Sequence, residues 1–429
     1  VYSSGYVGKI KFTGLEQKMA NKLVITKQDN KIISAFFEGM DILQVSLNVS
    51  KKTGILGNIY LGKVKNIVKN INAAFVEIAE GKMCYYSMAE NRYPIMANSQ
   101  DYCPQKAVLT KTAIKTGDEL LVQVVKEDVK TKAPVVTSNL NFTGKYAALT
   151  YGKSTIGVSV KITDVKERSR LKNIVRPFQH NEYGFIIRTN AAYIPKDKII
   201  QEICSLKISY ENIRTYGIHK SRFSLLYETP ANYICDIRDG YAQNVDEFIT
   251  DDKVIYDNIK NYLKQYQSED LDKLSLYQDS LLSLSNLYGI HNKLKNALMP
   301  MVWLKSGGTL VIQPTEALTV IDVNTGKAVT GKKKVQETFF LVNCEAAKEI
   351  ARQIRLRNLS GIIVIDFIDL ESNRDKELLM EELGKYLMKD PVKTTLVDMT
   401  ALGLVEVTRK KVRKPLYEQI EDVQNHIKN

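Results

Sequence analysis

Alternating apolar and polar positions open the readable part of the chain. From Lys22, the run KLVITKQDNKIISAFFEGMDILQVSL breaks at 28–31 and at Gly39, which predicts a short β-meander. Between Gly57 and about Asn141 come more β-branched runs, NIYLGKVKNIV, AAFVEIA, ELLVQVVKE and PVVTSNL, separated by turns rich in Gly and Lys. That is the pattern of a small OB-like barrel. Residues 144–235 mix the strand-like GVSVKI and YGFIIRTNA with a helical KDKIIQEICSLKISYENI, and read as a separate α+β unit. Residues 236–298 turn helical and polar. From Val302 short apolar blocks return: two strands around a Pro-Thr turn in SGGTLVIQPTEALTVIDVN, a helix in KVQETFFLVNCEAAKEIARQIRLRN, and a buried strand in GIIVIDFIDL. The helix carries Phe339, Val342, Ala346, Ile350 and Ile354 on one stripe. Strand, helix, strand predicts a right-handed crossover between parallel neighbours.

Composition narrows the partner. The chain has 429 residues and is 44% hydrophobic, enough for two to four domains with cores of their own. Lys and Arg number 61 against 48 Asp and Glu, a formal charge of +13 that favours a polyanion. No apolar stretch approaches membrane-spanning length and no strongly basic amphipathic helix stands at either end, so no membrane anchor is seen and nucleic acid is preferred to lipid. Five scattered cysteines, Cys84, Cys103, Cys204, Cys235 and Cys344, form no Cys-x-x-Cys pair, and only four histidines are present. Neither a disulfide scaffold nor a zinc knuckle is expected, and a cytoplasmic setting is. Residues 1–20 fit poorly with the alternating strands after them and are expected to be a non-native or disordered leader, with Met19 as a candidate start.

The stretch LTVIDVNTGKAVTGKKK, 318–334, supports two chemistries. From Gly326 it spells the Gly-x-x-x-x-Gly-Lys of a P-loop, but Lys333 stands where a magnesium-ligating hydroxyl belongs, and a polar stretch separates the lysine from helical periodicity. The other reading uses Asp322 and Asp366, each ending an apolar run, LTVI and IIVI. If those strands are the parallel pair, both carboxylates reach one sheet edge about 4.8 Å apart, close enough to share one ion. Magnesium suits one or two protein carboxylates completed by water and phosphate oxygens. Asn324, two residues on, faces the same side. Strand-end aspartates also cap turns, and spacing alone favours that slightly; two apolar-flanked aspartates across one crossover shift the balance toward a metal site.

GNIYLGKV, AAFVEI, GFIIRTNA, SGGTLVIQPTEALTVIDVNTGK, EIARQIRLRNLSGIIVIDFIDL and VEVTRKKVR, in that order from about 21 to 415, resemble the bacterial ribonuclease E/G family. The resemblance implies a multidomain α/β and α+β fold. An RNase H-like segment split between 21–53 and 236–298 would enclose an S1-type OB barrel (54–141) and a 5′-phosphate sensor (142–235). A DNase I-like catalytic domain (299–415) and a tail (416–429) would follow. The activity it implies is a magnesium-dependent endoribonuclease of RNA processing and decay. Such an enzyme cuts single-stranded RNA, including mRNA and rRNA precursors, to 5′-phosphate and 3′-hydroxyl ends, and a 5′-monophosphate stimulates it.

By position, Asp322 and Asp366 match the family's magnesium ligands and Asn324 its active-site asparagine. Arg188 and Thr189 match the pair that grips a terminal 5′-monophosphate. Phe75 and Tyr85 match base-stacking aromatics, and Lys126 and Lys132 basic residues beside the strand. Apart from the family, Phe75 inside AAFVEI is equally a core residue, whereas Tyr85 is the exposed choice because Tyr86 follows it. Asp369 faces away if its strand continues and reads as structural. Two features depart from the family. VEVTRKKVRKPLYEQIEDVQNHIKN lacks the cysteine pair that links subunits through zinc, so zinc is not expected and any homo-oligomer would form without it. The segment after Gly157 offers Lys161 where arginine is common. The shorter, ribonuclease G-like form is favoured. The rivals are a noncatalytic RNA-binding protein and a P-loop nucleotide hydrolase.

Overall fold

The structure is a computed structural model and describes residues 20–49, 54–97, 109, 111–127, 133–239, 245–326 and 335–428. The leader through 19, Lys132 and the glycine-lysine stretch at 327–334 lie outside the described residues.

The meander forms as its alternation requires: β1 (Asn21–Gln28), β2 (Lys31–Glu38) and β3 (Asp41–Val49) pair antiparallel in sequence. Next come β4 (Ile59–Val68), β5 (Ala73–Ala79), β6 (Lys82–Ser87), β7 (Glu119–Lys126) and β8 (Val135–Thr137). They close a ring β4-β5-β6-β8-β7, since β4 bonds both β5 and β7. Closure removes the edges an open sheet would expose. Inside lie Val64, Ala74, Val76, Ile78, Tyr86, Val122 and Val136, so each strand's other residues face outward.

The α+β unit holds β9 (Asn141–Thr143), β10 (Ala147–Tyr151), β11 (Ile156–Val158), helix α1 (Val165–Val175), β12 (Tyr183–Ile187) and helix α2 (Lys196–Tyr216). Its sheet runs β11-β12-β10-β9, and Ile199, Ile203, Leu206, Tyr210 and Ile213 seat α2 in the shared core. A short β13 (Leu225–Tyr227) then adds to β4 of the barrel, and α3 (Asn232–Arg238) comes after it.

The stretch 236–298, helical by pattern, also contains strands. It folds as β14 (Glu247–Thr250), α4 (Lys253–Tyr266), β15 (Leu274–Leu276), α5 (Leu284–Leu287) and α6 (Ile290–Leu298). Both strands return to the first sheet, in order β15-β14-β1-β2-β3 with β14 parallel to β1. One sheet is thus assembled from segments some 200 residues apart in the chain.

The last unit contains β16 (Met301–Trp303), β17 (Thr309–Pro314), β18 (Leu318–Asn324), α7 (Val335–Leu356), β19 (Gly361–Asp366), α8 (Asn373–Leu387), β20 (Thr394–Met399) and β21 (Val405–Arg409). The sheet order is β16-β17-β18-β19-β21-β20, and β18 and β19 are the parallel pair joined by α7. Val342, Ala346, Ile350 and Ile354 of α7 pack with Leu310, Ile312, Ile321, Val323, Ile363 and Ile365. β19 is not buried on both sides as its sequence predicts. Ile363 and Ile365 face the helices while Ile362 is half exposed, because this core covers one face of the sheet. The final residues are more than a tail: α9 (Leu416–Lys428) docks on β3 through Leu416 and Val423, and Gln419 Oε1 accepts from Leu47 N at 3.0 Å. Among the described residues no helix is long and apolar enough to cross a membrane.

Candidate active site

Strand register brings the two aspartates together. β18 and β19 pair Leu318 with Ile362 and end with Asp322 opposite Asp366, one strand spacing of about 4.8 Å apart. Ile321, Val323, Ile363 and Ile365 point into the helix-covered core, so Leu318, Val320, Asp322, Asn324, Ile362, Val364 and Asp366 share the other, open face. Asn324 Nδ2 donates to Asp322 Oδ2 at 2.6 Å, which fixes that carboxylate and leaves its other oxygen for a ligand.

Asp366 feels the crowding. Its carboxyl is pushed above the ordinary aspartate range, first by partial burial and then by the negative charges of Asp322 and Asp369. Asp369 therefore stands close enough to matter, and the expectation that it faces away is corrected: the strand stops at Asp366 and the chain turns. Asn343, buried in α7, holds that turn by donating to Ile368 O at 2.7 Å and accepting from Ile368 N at 3.1 Å. Glu345, two residues on, accepts from Lys305 N and Ser306 N at 2.7 and 3.1 Å and fixes the turn between β16 and β17. One helix thus braces both flanks of the carboxylate pair. The sequence marks neither residue, since both look like ordinary polar positions of an amphipathic helix.

Gly326 has a packing reason to be glycine. Its φ is +51°, and a Cβ there would lie 2.3 Å from Gly307 O, so the loop after Asn324 rests on the turn at 306–308. Among the described residues no three His, Cys, Asp or Glu side chains gather to hold a metal by themselves. Two adjacent carboxylates are the donor set of a hard cation that keeps waters and takes phosphate oxygens.

The other candidate residues fall into two places. Phe75 lies on the outer face of the barrel, not in its core, directly opposite Tyr85, with ring centroids 6.3 Å apart and planes at 81°. Tyr86 is the inward partner, buried with its hydroxyl 3.0 Å from Ser138 Oγ. Tyr85 pairs with Val135 and Val135 with Lys126, so Phe75, Tyr85 and the exposed Lys126 lie in one row across four strands.

Arg188 and Thr189 come directly after β12 and line a cleft of about 1150 Å³. Eight Lys or Arg side chains line it against two carboxylates, Glu38 and Asp239. Arg188 Nη1 donates to Gly144 O at 2.5 Å and to Asp239 Oδ1 at 2.9 Å, and Thr189 Oγ1 lies 2.9 Å from Ser159 Oγ. Glu202, from α2, accepts backbone N–H bonds from Lys145, Tyr146 and Ala147 at 2.7 to 2.8 Å and so sets the turn that presents Gly144 O. Asp239 and Glu202 escape sequence reasoning, because each acts on residues more than fifty positions away. Lys161 lines the same cleft and donates to the Asp390 carbonyl; burial lowers its pKa, with the Asp390 charge opposing. The carboxylate of Asp390 binds Arg409 at 2.7 Å in a buried pair completed by Asn358 and Leu359 O.

The fold thus holds a pair of register-matched carboxylates on an open sheet face, a closed barrel and a basic cleft. The model of the ribonuclease E/G family matches residues 141–412. Ribonuclease G of Haemophilus influenzae is 34% identical over 402 residues, 92% of this chain and 81% of that one. Ribonuclease G of Escherichia coli K12 is 32% identical over 403 residues, 93% and 81%. Ribonuclease E of a Nostoc species is 33% identical over 405 residues, 94% of this chain but 57% of its own. The chain belongs to the ribonuclease E/G family, in its G-like form, and is an endoribonuclease.

Proposed function

We propose that the chain cuts single-stranded RNA at Asp322 and Asp366 with magnesium held between them, releasing 5′-phosphate and 3′-hydroxyl ends. The observation that carries this is the direct pairing of the two aspartates on the uncovered face, with Asp366 held above its usual range by partial burial and its acidic neighbours. A divalent cation relieves that repulsion, which is why the residues fit it. Bound there, magnesium would acidify an attacking water and offset charge gathering on the scissile phosphate. The chain's own part is positioning. Asn324 orients the Asp322 carboxylate, Asn343 fixes the loop after Asp366, and the sheet holds the two residues one strand spacing apart.

Arg188 and Thr189 would receive a 5′-monophosphate, the guanidinium by charge-assisted bonds and the hydroxyl as a further donor. The outer row Phe75, Tyr85 and Lys126 would carry bases and backbone, as stacking surfaces with an adjacent cation do. In this reading 21–53 with 236–298 is the RNase H-like frame, the barrel an S1-type OB domain and 299–415 the DNase I-like catalytic part, acting on mRNA and rRNA precursors. Cys204, Cys235 and Cys344 are free thiols, which suits a reducing, cytoplasmic setting.

The experiment is cleavage of an end-labelled single-stranded RNA with and without magnesium, with product ends identified. Magnesium-dependent cutting to 5′-phosphate ends by the parent protein, lost in Asp322→Asn, is expected. Equal cutting by that variant, or cutting in a chelator, would remove the assigned chemistry.

A further inference from the structure

The open face that bears the carboxylates continues across β17 and β16 to the sheet edge. Val302 packs into the helix-covered core, so Met301 and Trp303 project to the open side, where Trp303 is 64% exposed. Register then gives two transverse rows. Met301, Val311, Asp322 and Asp366 form one, and Trp303, Thr309 and Asn324 form the next. Trp303 therefore stands two strand spacings, about 10 Å, from Asn324 on the same surface. It is the chain's single tryptophan.

Its mounting is rigid. The turn just after it is bonded by Glu345, and Gly307 in that turn is the surface on which Gly326 rests, so the strand bearing Trp303 and the loop after Asn324 are one packed unit. Lys305 is exposed in the same turn. An isolated exposed apolar residue needs no explanation; a planar indole, flanked by exposed Met301, continuous with a carboxylate pair and trailed by an exposed lysine, matches the parts of a single-strand stacking site.

We propose that the Trp303 indole stacks a base of the RNA strand flanking the scissile phosphate, with Lys305 beside the backbone. The proposal rests on the nuclease reading above and adds to it a substrate-positioning residue. Stacking acts equally in the ground and transition states, so its loss raises KM and spares kcat.

Two measurements test it. The emission of the single tryptophan is read in Asp322→Asn protein as a ten-nucleotide oligoadenylate is added; quenching is expected, and unchanged emission at saturating RNA would overturn the stacking role. In the cleavage assay, Trp303→Ala should raise KM about tenfold with kcat within about twofold. Trp303→Phe, which keeps a ring face, should recover most of the loss. If Trp303→Ala cuts like the parent while Asp322→Asn is inert, the stacking role falls and the nuclease reading stands. If the parent itself does not cut RNA in magnesium, the nuclease reading falls, and quenching then decides whether the platform survives as a binding site. An emission change that follows protein concentration without RNA, together with a doubled mass in sedimentation, would give this face to a second copy and overturn the proposal.

Discussion

The carboxylate pair on the last sheet and the cleft at Arg188 are built with opposite charge. At the first, Asp322, Asp366 and Asp369 crowd acidic groups at a strand end, and a phosphate arriving alone would be repelled. At the second, Arg188 is one of eight basic side chains, and a phosphate needs no intermediary. The support differs as well. The two aspartates are set opposite one another by backbone register, and Asn324 and Asn343 only brace what the sheet has already placed. Arg188 is placed by other side chains: Asp239 holds its guanidinium, and Glu202 holds the turn whose carbonyl it meets. Register gives a fixed distance suited to catalysis, whereas a side-chain network gives a group that can exchange partners when a ligand arrives.

That contrast is most severely tested at the carboxylates. Removing one charge, Asp322→Asn, should lower magnesium-dependent cleavage about a thousandfold, the scale of several kcal/mol of lost charge stabilisation, while oligonucleotide affinity stays within about twofold. A small loss of rate would mean the acidic cluster is not the reacting centre. The cleft joins the last sheet at Asp390, whose carbonyl accepts from Lys161 and whose carboxylate anchors Arg409 opposite Gly361, at the end of β19 away from the carboxylates. Arg409→Ala strands a buried carboxylate and should cost about 3–5 kcal/mol in denaturant unfolding, with cleavage and cleft lost together. If cleavage survives with normal stability, the regions are mechanically independent.

Within the cleft, Arg188→Ala should reduce the preference for a 5′-monophosphorylated over a 5′-hydroxyl RNA about tenfold or more, with the 5′-hydroxyl rate unchanged, as removal of a charge-assisted bond predicts. Equal cutting of both substrates by the parent would withdraw the sensor role. The smallest effect is a stability one. Magnesium at ten times its Kd should add about 1.4 kcal/mol to the parent and nothing to Asp322→Asn, measured by thermal unfolding in the presence and absence of chelator.

Much of this architecture is legible in the order of residues alone. Ile321 and Ile363 alternate with acidic and exposed neighbours, and the α7 stripe from Val342 to Ile354 announces the face it buries, because periodicity is a local property of the chain. Tyr85 and Tyr86 divide between outside and inside for the same reason. Phe75 does not yield to this reasoning, since an aromatic amid apolar residues has no pattern to say which side of a barrel it takes until closure defines an inside. Asp369 escapes it too, because strand ends are set by what the next turn packs against, here Asn343 of α7.

The sequence by itself determined the elements, the excess of positive charge, the family and the two aspartates worth watching, all of which depend on residue type and short-range spacing. The tertiary structure decided the rest. It paired segments some 200 residues apart into one sheet, brought Asp239 and Glu202 to Arg188, and left one face of the last sheet uncovered so that Trp303 and the carboxylates share it. Those outcomes depend on which surfaces find each other in space, and contact between distant residues leaves no periodic trace along the chain.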